Sequence, residues 1–373
     1  MPVGSDTPPD SGSGSDFDSD VVVRKARPTD ADAVAAFTQD TWSGRHDDYI
    51  PRVFPDWAAS DDPDRGTFVA TLPPDAVDAE GLDDRETGDT FVEGDGAGAV
   101  EPGDPEAIVG CIQAALLSEW EAWGQGIRVD PAARGFGVSI ALSTAALDWA
   151  RDRGATVCRN MVFSWNIAGL GQSRAVGFEP ATEFRFAEPE PSAPAPAADL
   201  TVAPVDDPDP DAAWAFWSDS DARDHLGGLV LDDGESWACS ALTRERLRGA
   251  ADENRLIAVR GSREPGGADA AGSGGADAAG PFAGFAVRTR VSERPGDGPD
   301  RTAIYGVAAW RDVDAAGGLY RSIAADAAAV DADAARVLIP ETVAHVSDTA
   351  ANRIRVSGEP DFVMAADLTD GAP

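Results

Sequence analysis

Residues 127–139, IRVDPAARGFGVS, set Arg134, Gly135, Phe136, Gly137, Val138 and Ser139 between an alternating apolar stretch and a long amphipathic one. Glycine lets a backbone come close to a ligand, and the opening turn of a helix carries N–H groups without intrahelical partners. With the positive end of the helix dipole added, the pattern predicts a strand, a turn that cradles a phosphate, and a helix. Taken alone, the same glycines also fit an ordinary strand–turn–helix in which they serve only turn chemistry. Downstream, Asn166 and the pair Gly177-Phe178 follow in order, which narrows the choice towards the cradle.

These residues need elements to hold them. The amphipathic stretch predicts a helix over 134–153, with Val138, Leu142, Ala145, Ala146 and Trp149 on one face and Gly154 as its stop. A strand over 156–163, a short helix from Asn166, the Gly177-Phe178 turn and a strand over 181–186 complete the run. Upstream the pattern predicts a strand at 21–26 and a helix capped by Thr29 that passes Ala33, Val34, Phe37 and Trp42. A loop at 43–55 and strands at 67–72, 107–118 and 122–129 follow, with an acidic, glycine-rich insertion at 73–106.

In this arrangement Arg134-Gly135-Phe136-Gly137-Val138-Ser139 resembles the Q/R-x-x-G-x-G/A acetyl-CoA motif of the GNAT N-acetyltransferase family, and Asn166 with Gly177-Phe178 resembles that family's closing motif. The resemblance covers residues 21–187. It implies an α+β fold, a mixed and mostly antiparallel sheet flanked by helices, and an N-acyltransferase using acetyl-CoA as co-substrate. It further implies that the main chain of Ile127 and Val129 lies along the pantetheine arm, that the amides of 135–139 with Arg134 meet the pyrophosphate, and that Asn166 bonds the cofactor tail. Two positions depart from the family pattern. Ser139 stands where Gly or Ala is preferred, and Ser173 stands where many members carry the tyrosine that protonates the departing thiolate.

Acyl transfer to an amine requires the amine to be neutral, so a carboxylate or a water held by one removes its proton. Glu119 is the first candidate, with Glu121 on the other side of Trp120; in a chain this acidic, a merely solvated carboxylate is an equal reading. In the 43–55 loop, His46 could act as a base and Tyr49 as the acid for the thiolate, against a plain surface role for each. Trp120 and Trp123 could wall an acceptor pocket, although tryptophans usually serve cores.

The 373 residues suffice for two domains, and 43% hydrophobic composition can supply their cores. Sixty-six acidic against 30 basic residues give a formal charge of −36, which opposes nucleic acids and anionic membranes as partners. Such acidity resembles the surfaces of extreme halophiles, where salt screens self-repulsion. No signal core or spanning segment is visible, so a cytoplasmic protein is expected, monomeric or homodimeric. Cys111, Cys158 and Cys239 have neither C-x-x-C spacing nor a neighbouring histidine, which argues against a metal site; Cys111 and Cys158 read as core residues.

A proline-alanine linker at 188–199 precedes a restart of the pattern over 200–368: a strand at 200–205, a helix at 212–217, and strands at 256–260, 282–291 and 302–310. A helix at 315–330, a strand at 336–340, a helix at 344–352 and a strand at 362–367 end it. A second low-complexity insertion, 261–280, falls at the position equivalent to the first, which argues for an internal repeat. Its strand-to-helix junction, AAWRDVDAAGGLYRS, lacks the cradle. The expected organisation is therefore a disordered tail at 1–20, an active GNAT domain at 21–187, a degenerate copy at 200–368 and a tail at 369–373. The alternative functions are a non-catalytic acyl-CoA-binding or scaffolding protein of the same fold and a nucleotide-binding α/β domain; the hairpin-like strand order disfavours the second.

Overall fold

The computed structural model describes residues 21–39, 41, 48–73, 107–194, 202–261, 280–293 and 300–369. The expected tails and most of both insertions lie outside these residues, as do His46 and Trp42. In chain order the elements are β1 (Val22–Lys25), α1 (Ala31–Thr38), α2 (Ile50–Ala59), β2 (Arg65–Leu72), β3 (Ala107–Leu116), β4 (Glu121–Val129), α3 (Val138–Arg151), β5 (Val157–Phe163), α4 (Ile167–Ala175) and β6 (Glu179–Glu188). Then come β7 (Val202–Pro204), α5 (Pro210–Ser218), α6 (Asp221–Leu226), β8 (Leu229–Leu231), β9 (Cys239–Ala241), α7 (Arg244–Asp252), β10 (Leu256–Gly261), β11 (Phe282–Glu293) and β12 (Arg301–Trp310). The chain ends with α8 (Val313–Ala329), β13 (Ala334–Pro340), α9 (Val343–Ala351), β14 (Arg355–Val356) and β15 (Asp361–Asp367).

Two compact units divide the chain, one from Met1–Ser60, Thr67–Ile112 and Gly126–Ala145, the other from Asp61–Gly66, Gln113–Gln125 and Ala146–Pro373. In the first unit the strand order is β1-β2-β3-β4, with β1 antiparallel to β2 from Val22 opposite Thr71 to Lys25 opposite Phe68. Its core joins Val34 of α1, Ile50, Phe54 and Ala58 of α2, and Val69 and Cys111 of the sheet.

The second unit carries the order β4-β5-β15-β6-β13-β12-β11-β10-β7, with β14 on β6. Among the described pairings only β4–β5 and β12–β13 are parallel, and each is bridged by a helix, α3 and α8. These matching β-α-β crossovers and a length of 373 residues fit two tandem copies of one fold. The final strand β15 lies between β5 and β6, antiparallel to both, while β6 pairs with β13 from Phe184 opposite Pro340 to Ala187 opposite Val337. Each half thus lends a strand to the other.

Several local expectations are corrected. Thr29 does not cap the first helix: Asp30 does the local bonding, its carboxylate accepting from the Arg27 N–H at 2.7 Å and from the Arg24 guanidinium. Residues 50–55, expected in a loop, form the start of α2. The Asp48 carboxylate accepts from the Ile50 N–H at 3.0 Å, Pro51 suits a first turn, and Ile50, Phe54 and Ala58 make a buried stripe at helical spacing. The helix expected from Arg134 begins at Val138, since Pro131–Ala133 takes a short 3₁₀ turn and two left-handed glycines follow. Short α6, β8, β9 and α7 escape period-based reading, although Ser220 and Thr243 cap α6 and α7 with their hydroxyls.

Candidate functional site

At Gly126, in the body of β4, φ is +67°, and a Cβ there would come within 2.7 Å of the Trp57 ring and 2.9 Å of Ile50. Only glycine fits, since a left-handed backbone inside a strand is the conformation of a glycine bulge. In the parallel ladder between β4 and β5, Glu121, Ala122 and Trp123 face Val157, Cys158 and Arg159.

Past Val129 the chain enters the cradle. The Asp130 carboxylate accepts from the Ala132 N–H at 2.9 Å and fixes the 3₁₀ turn, while the Asp130 N–H donates to the Val109 carbonyl at 2.8 Å. Burial pushes the Asp130 carboxyl above its ordinary range, opposed by the Ala132 bond and the Arg134 charge. Gly135 and Gly137 then adopt φ of +85° and +79°, and a Cβ at either would meet nothing within 4 Å. These glycines are therefore required by backbone conformation, and the side on which a residue would carry its Cβ is open. The N–H groups of the first turn of α3 lack i−4 partners by helix geometry and carry the positive end of its dipole. Ile127 and Val129, both half-buried, precede this turn on β4.

In the same unit, Asp48 and Arg128 form a fork-to-fork pair, Nε to Oδ2 at 2.7 Å and Nη2 to Oδ1 at 3.0 Å, with the Asp48 side chain fully buried. This clamp fixes the start of α2 against β4. Tyr49 sits on it, 36% exposed, its ring 6.2 Å from that of Trp57 and 5.7 Å from the Arg128 guanidinium carbon.

The remaining candidates lie in the second unit. Asn166 caps α4, its Oδ1 accepting from the Gly169 N–H at 3.0 Å. Ser173 is buried and accepts from Asn160 Nδ2 at 3.0 Å, while the buried Asn160 Oδ1 has no protein partner. Trp123 belongs to the hydrophobic core at 2% exposure, beside Phe184 and Phe186, so its expected role in walling an acceptor is corrected. Trp120 is exposed in the turn before β4, with Arg159 5.9 Å above its ring. Glu119 is exposed in that same turn. Five strand steps, roughly 16 Å, separate the start of β4 from Gly126, so the turn does not bring Glu119 to mid-strand. Glu121 is buried and committed to Arg159 at 2.6 Å, Ser118 Oγ at 3.2 Å and the Ala241 N–H at 3.0 Å.

A different carboxylate reaches the middle of β4. Glu235, between β8 and β9, accepts from Gln125 Nε2 at 3.1 Å and pairs with Arg65 at 2.5 Å, while Gln125 Nε2 also donates to Gln113 Oε1 at 2.8 Å. Gln125 adjoins the bulge at Gly126. No motif ties Glu235 to this strand, since 110 residues of sequence separate it from Gln125.

The junction of β12 with α8 is built otherwise. There the Asp312 carboxylate itself caps the helix, accepting from the Ala315 N–H at 2.9 Å, a bond that holds its carboxyl below the usual range with help from Arg311. Gly317 and Gly318 are packing residues, because a Cβ on them would strike Asn352 and Val202.

Burial pushes the Cys111, Cys158 and Cys239 thiols up to about 12, which leaves them inert as nucleophiles. Among the described residues no cluster of His, Cys, Asp and Glu could hold a metal ion, and no helix is long and apolar enough to cross a membrane.

Residues 32–171 match the Acetyltransferase (GNAT) family. That segment contains Gly126, the turn at 134–139 and Asn166. A crystal structure of a GCN5-related N-acetyltransferase from Sphaerobacter thermophilus is similar at 13% identity and a TM-score of 0.55, over 94% of this chain and 97% of that one. This likeness over nearly both whole chains shows the GNAT fold. A tandem GNAT protein from the clavulanic acid biosynthesis pathway is similar at 13% identity, over 94% and 99% of the chains, with a TM-score of 0.48. The PaiA N-acetyltransferase of Thermoplasma acidophilum, solved with coenzyme A, is similar at 14% identity over 43% and 90%, with a TM-score of 0.31. No curated protein matches the chain.

Proposed function

We propose that residues 21–187 transfer an acetyl group from acetyl-CoA to an amine of a small molecule or a protein, and that residues 200–368 are a degenerate copy without a cofactor site. The carrying observation is the pair of left-handed glycines, Gly135 and Gly137, opening onto the first turn of α3 behind the bulged strand β4.

Acetyl-CoA supplies the acyl group as an activated thioester. Main-chain N–H groups of 135–139 and the Arg134 side chain hold its diphosphate, in keeping with anion binding at helix N-termini. Main-chain groups of Ile127 and Val129 hold the pantetheine arm, and an N–H there polarises the thioester carbonyl. Asn166 orients the cofactor tail. Glu235, set against Gln125, is the carboxylate best supported for taking the acceptor's proton, ahead of Glu119. Tyr49, beside the Arg128 cation, is favoured over the buried Ser173 for protonating the thiolate. Trp120 serves the acceptor side. The acceptor is not a nucleic acid, since a charge of −36 opposes one, and the enzyme acts in the cytoplasm as a monomer or homodimer.

Titration with coenzyme A and an assay of thiol release across a panel of amines test this reading. Binding with amine-dependent release is expected, and absence of binding by the folded chain overturns it. The burial of Ser173 favours one second reading, a non-catalytic acyl-CoA-binding protein, for which binding without release with any amine is the outcome.

A further inference from the structure

We propose that Asp232 is a positioning residue that sets Glu235 against β4, an inference that rests on the reading of Glu235 as the base. Glu235 lies in the connection 232–238 of the hairpin in which β8 pairs with β9, closed by Leu231 opposite Cys239 and by the Asp232 N–H donating to the Ala238 carbonyl at 2.8 Å. A connection of this length has many conformations open to it, whereas a base must be held in one. The Asp232 carboxylate selects that one. Oδ1 accepts from the Gly234 N–H at 2.9 Å and from the Glu235 N–H at 2.8 Å, an Asx turn whose second bond ends on the main chain of Glu235 itself. Oδ2 accepts from the buried Ser240 Oγ at 2.6 Å. Ser240 Oγ accepts in turn from Arg246 Nη1 at 3.0 Å, and the same guanidinium donates to the Ala241 and Leu231 carbonyls, each at 2.9 Å.

Both ends of Glu235 are therefore fixed. Asp232 fixes the main chain, and the side chain is caught by Gln125 Nε2 on Oε1 at 3.1 Å and by Arg65 on Oε2 at 2.5 Å. All of these groups belong to the second unit. Removing the Asp232 carboxylate strips two N–H groups and one hydroxyl of a charged acceptor, a stronger partner than a neutral one. The connection is then free to move Glu235 away from Gln125, and a shift of about 1 Å in a catalytic group costs about a hundredfold in rate. An asparagine keeps the Oδ1 acceptor for both N–H groups and offers its Nδ2 to Ser240 Oγ, so it preserves the turn.

Steady-state kinetics and heteronuclear NMR of the full chain test the proposal. Asp232→Ala should lower kcat by roughly tenfold or more, leave coenzyme A affinity unchanged and shift the Gln125 side-chain amide resonances from their wild-type positions. Asp232→Asn should recover most of the rate and the resonances. Placed in Glu235→Gln, Asp232→Ala should cost nothing further, because its effect passes through that carboxylate. If Asp232→Ala does not fold, Ser240→Ala removes only the Oδ2 donor and should show the same split in smaller measure. Unshifted Gln125 resonances in the folded variant, or a loss of rate that persists undiminished in Glu235→Gln, overturns the proposal. A full-rate Glu235→Gln enzyme overturns the base reading instead; the resonances need no turnover, so they report the positioning separately.

Discussion

Gln125 of β4 donates its side-chain amide to the Glu235 carboxylate at 3.1 Å, joining the strand beside the bulge to a loop of the repeated half. Glu235→Gln should lower kcat by roughly two orders of magnitude, within the usual range for a general base, and leave coenzyme A affinity unchanged. The same change at Glu119 should have little effect. Steady-state kinetics with coenzyme A titration check both, and a full-rate Glu235→Gln enzyme would return the role to another carboxylate.

Gly137→Val places a β-branched residue at a φ of +79°, which costs on the order of 1–2 kcal/mol in backbone conformation. Since a Cβ there meets no protein atom, the change should lower stability only by that strain. Coenzyme A affinity should fall far more, by about tenfold or beyond, through misdirected N–H groups. Thermal melts with and without coenzyme A separate the two effects; a variant that binds as wild type would sink the cradle.

How much of this was readable from the chain follows from the range of the interactions. β4, the left-handed turn at Gly135 and Gly137 and α3 obey short-range rules, so that turn and its place before a helix are legible in the sequence. The helix starts at Val138, four residues beyond Arg134, because the intervening glycines are left-handed, and such glycines resemble a helix opening until their φ is known. Ile50, Phe54 and Ala58 did carry a helical stripe, hidden by Pro51 and Pro55. Glu235 and the insertion of β15 between β5 and β6 depend on contacts across more than a hundred residues, and no local period or motif encodes them. Trp123 was ambiguous for another reason, since tryptophan serves cores and ligand walls alike.

The Asp48–Arg128 fork ties α2 to β4 in a buried setting, where removing one partner leaves an uncompensated charge. Asp48→Ala should therefore destabilise the protein by about 3 kcal/mol, whereas the double change with Arg128→Met should recover much of the loss. Urea unfolding of the two single variants and the double variant measures the coupling. Additive effects would show that the fork contributes nothing as a pair.

At α8 the Asp312 carboxylate already caps the helix opening. Coenzyme A should thus bind once per chain. Asp312→Ala should cost about 1 kcal/mol as a lost cap without creating a second site. Calorimetric stoichiometry of wild type and variant decides it, and two sites in the wild type would refute the degenerate copy.

Asp361 and His345 act on stability in opposite directions as pH changes. Burial raises the Asp361 carboxyl from 3.8 to about 6, so between those values the folded chain holds a proton that the unfolded chain has released, and stability falls as pH rises. Burial lowers His345 from 6.5 to about 4, so over that range the unfolded chain holds the extra proton, and stability falls as pH drops. Each effect is worth roughly 3 kcal/mol across its window, and between about pH 4 and 6 they oppose. Asp361→Asn should therefore stabilise the protein at neutral pH by up to that amount and expose the His345 slope, about 1.4 kcal/mol per pH unit, on acidification. Urea midpoints measured from pH 4 to 7 test it. An Asp361→Asn curve parallel to that of wild type over this range would show that the buried carboxyl does not carry the assigned proton.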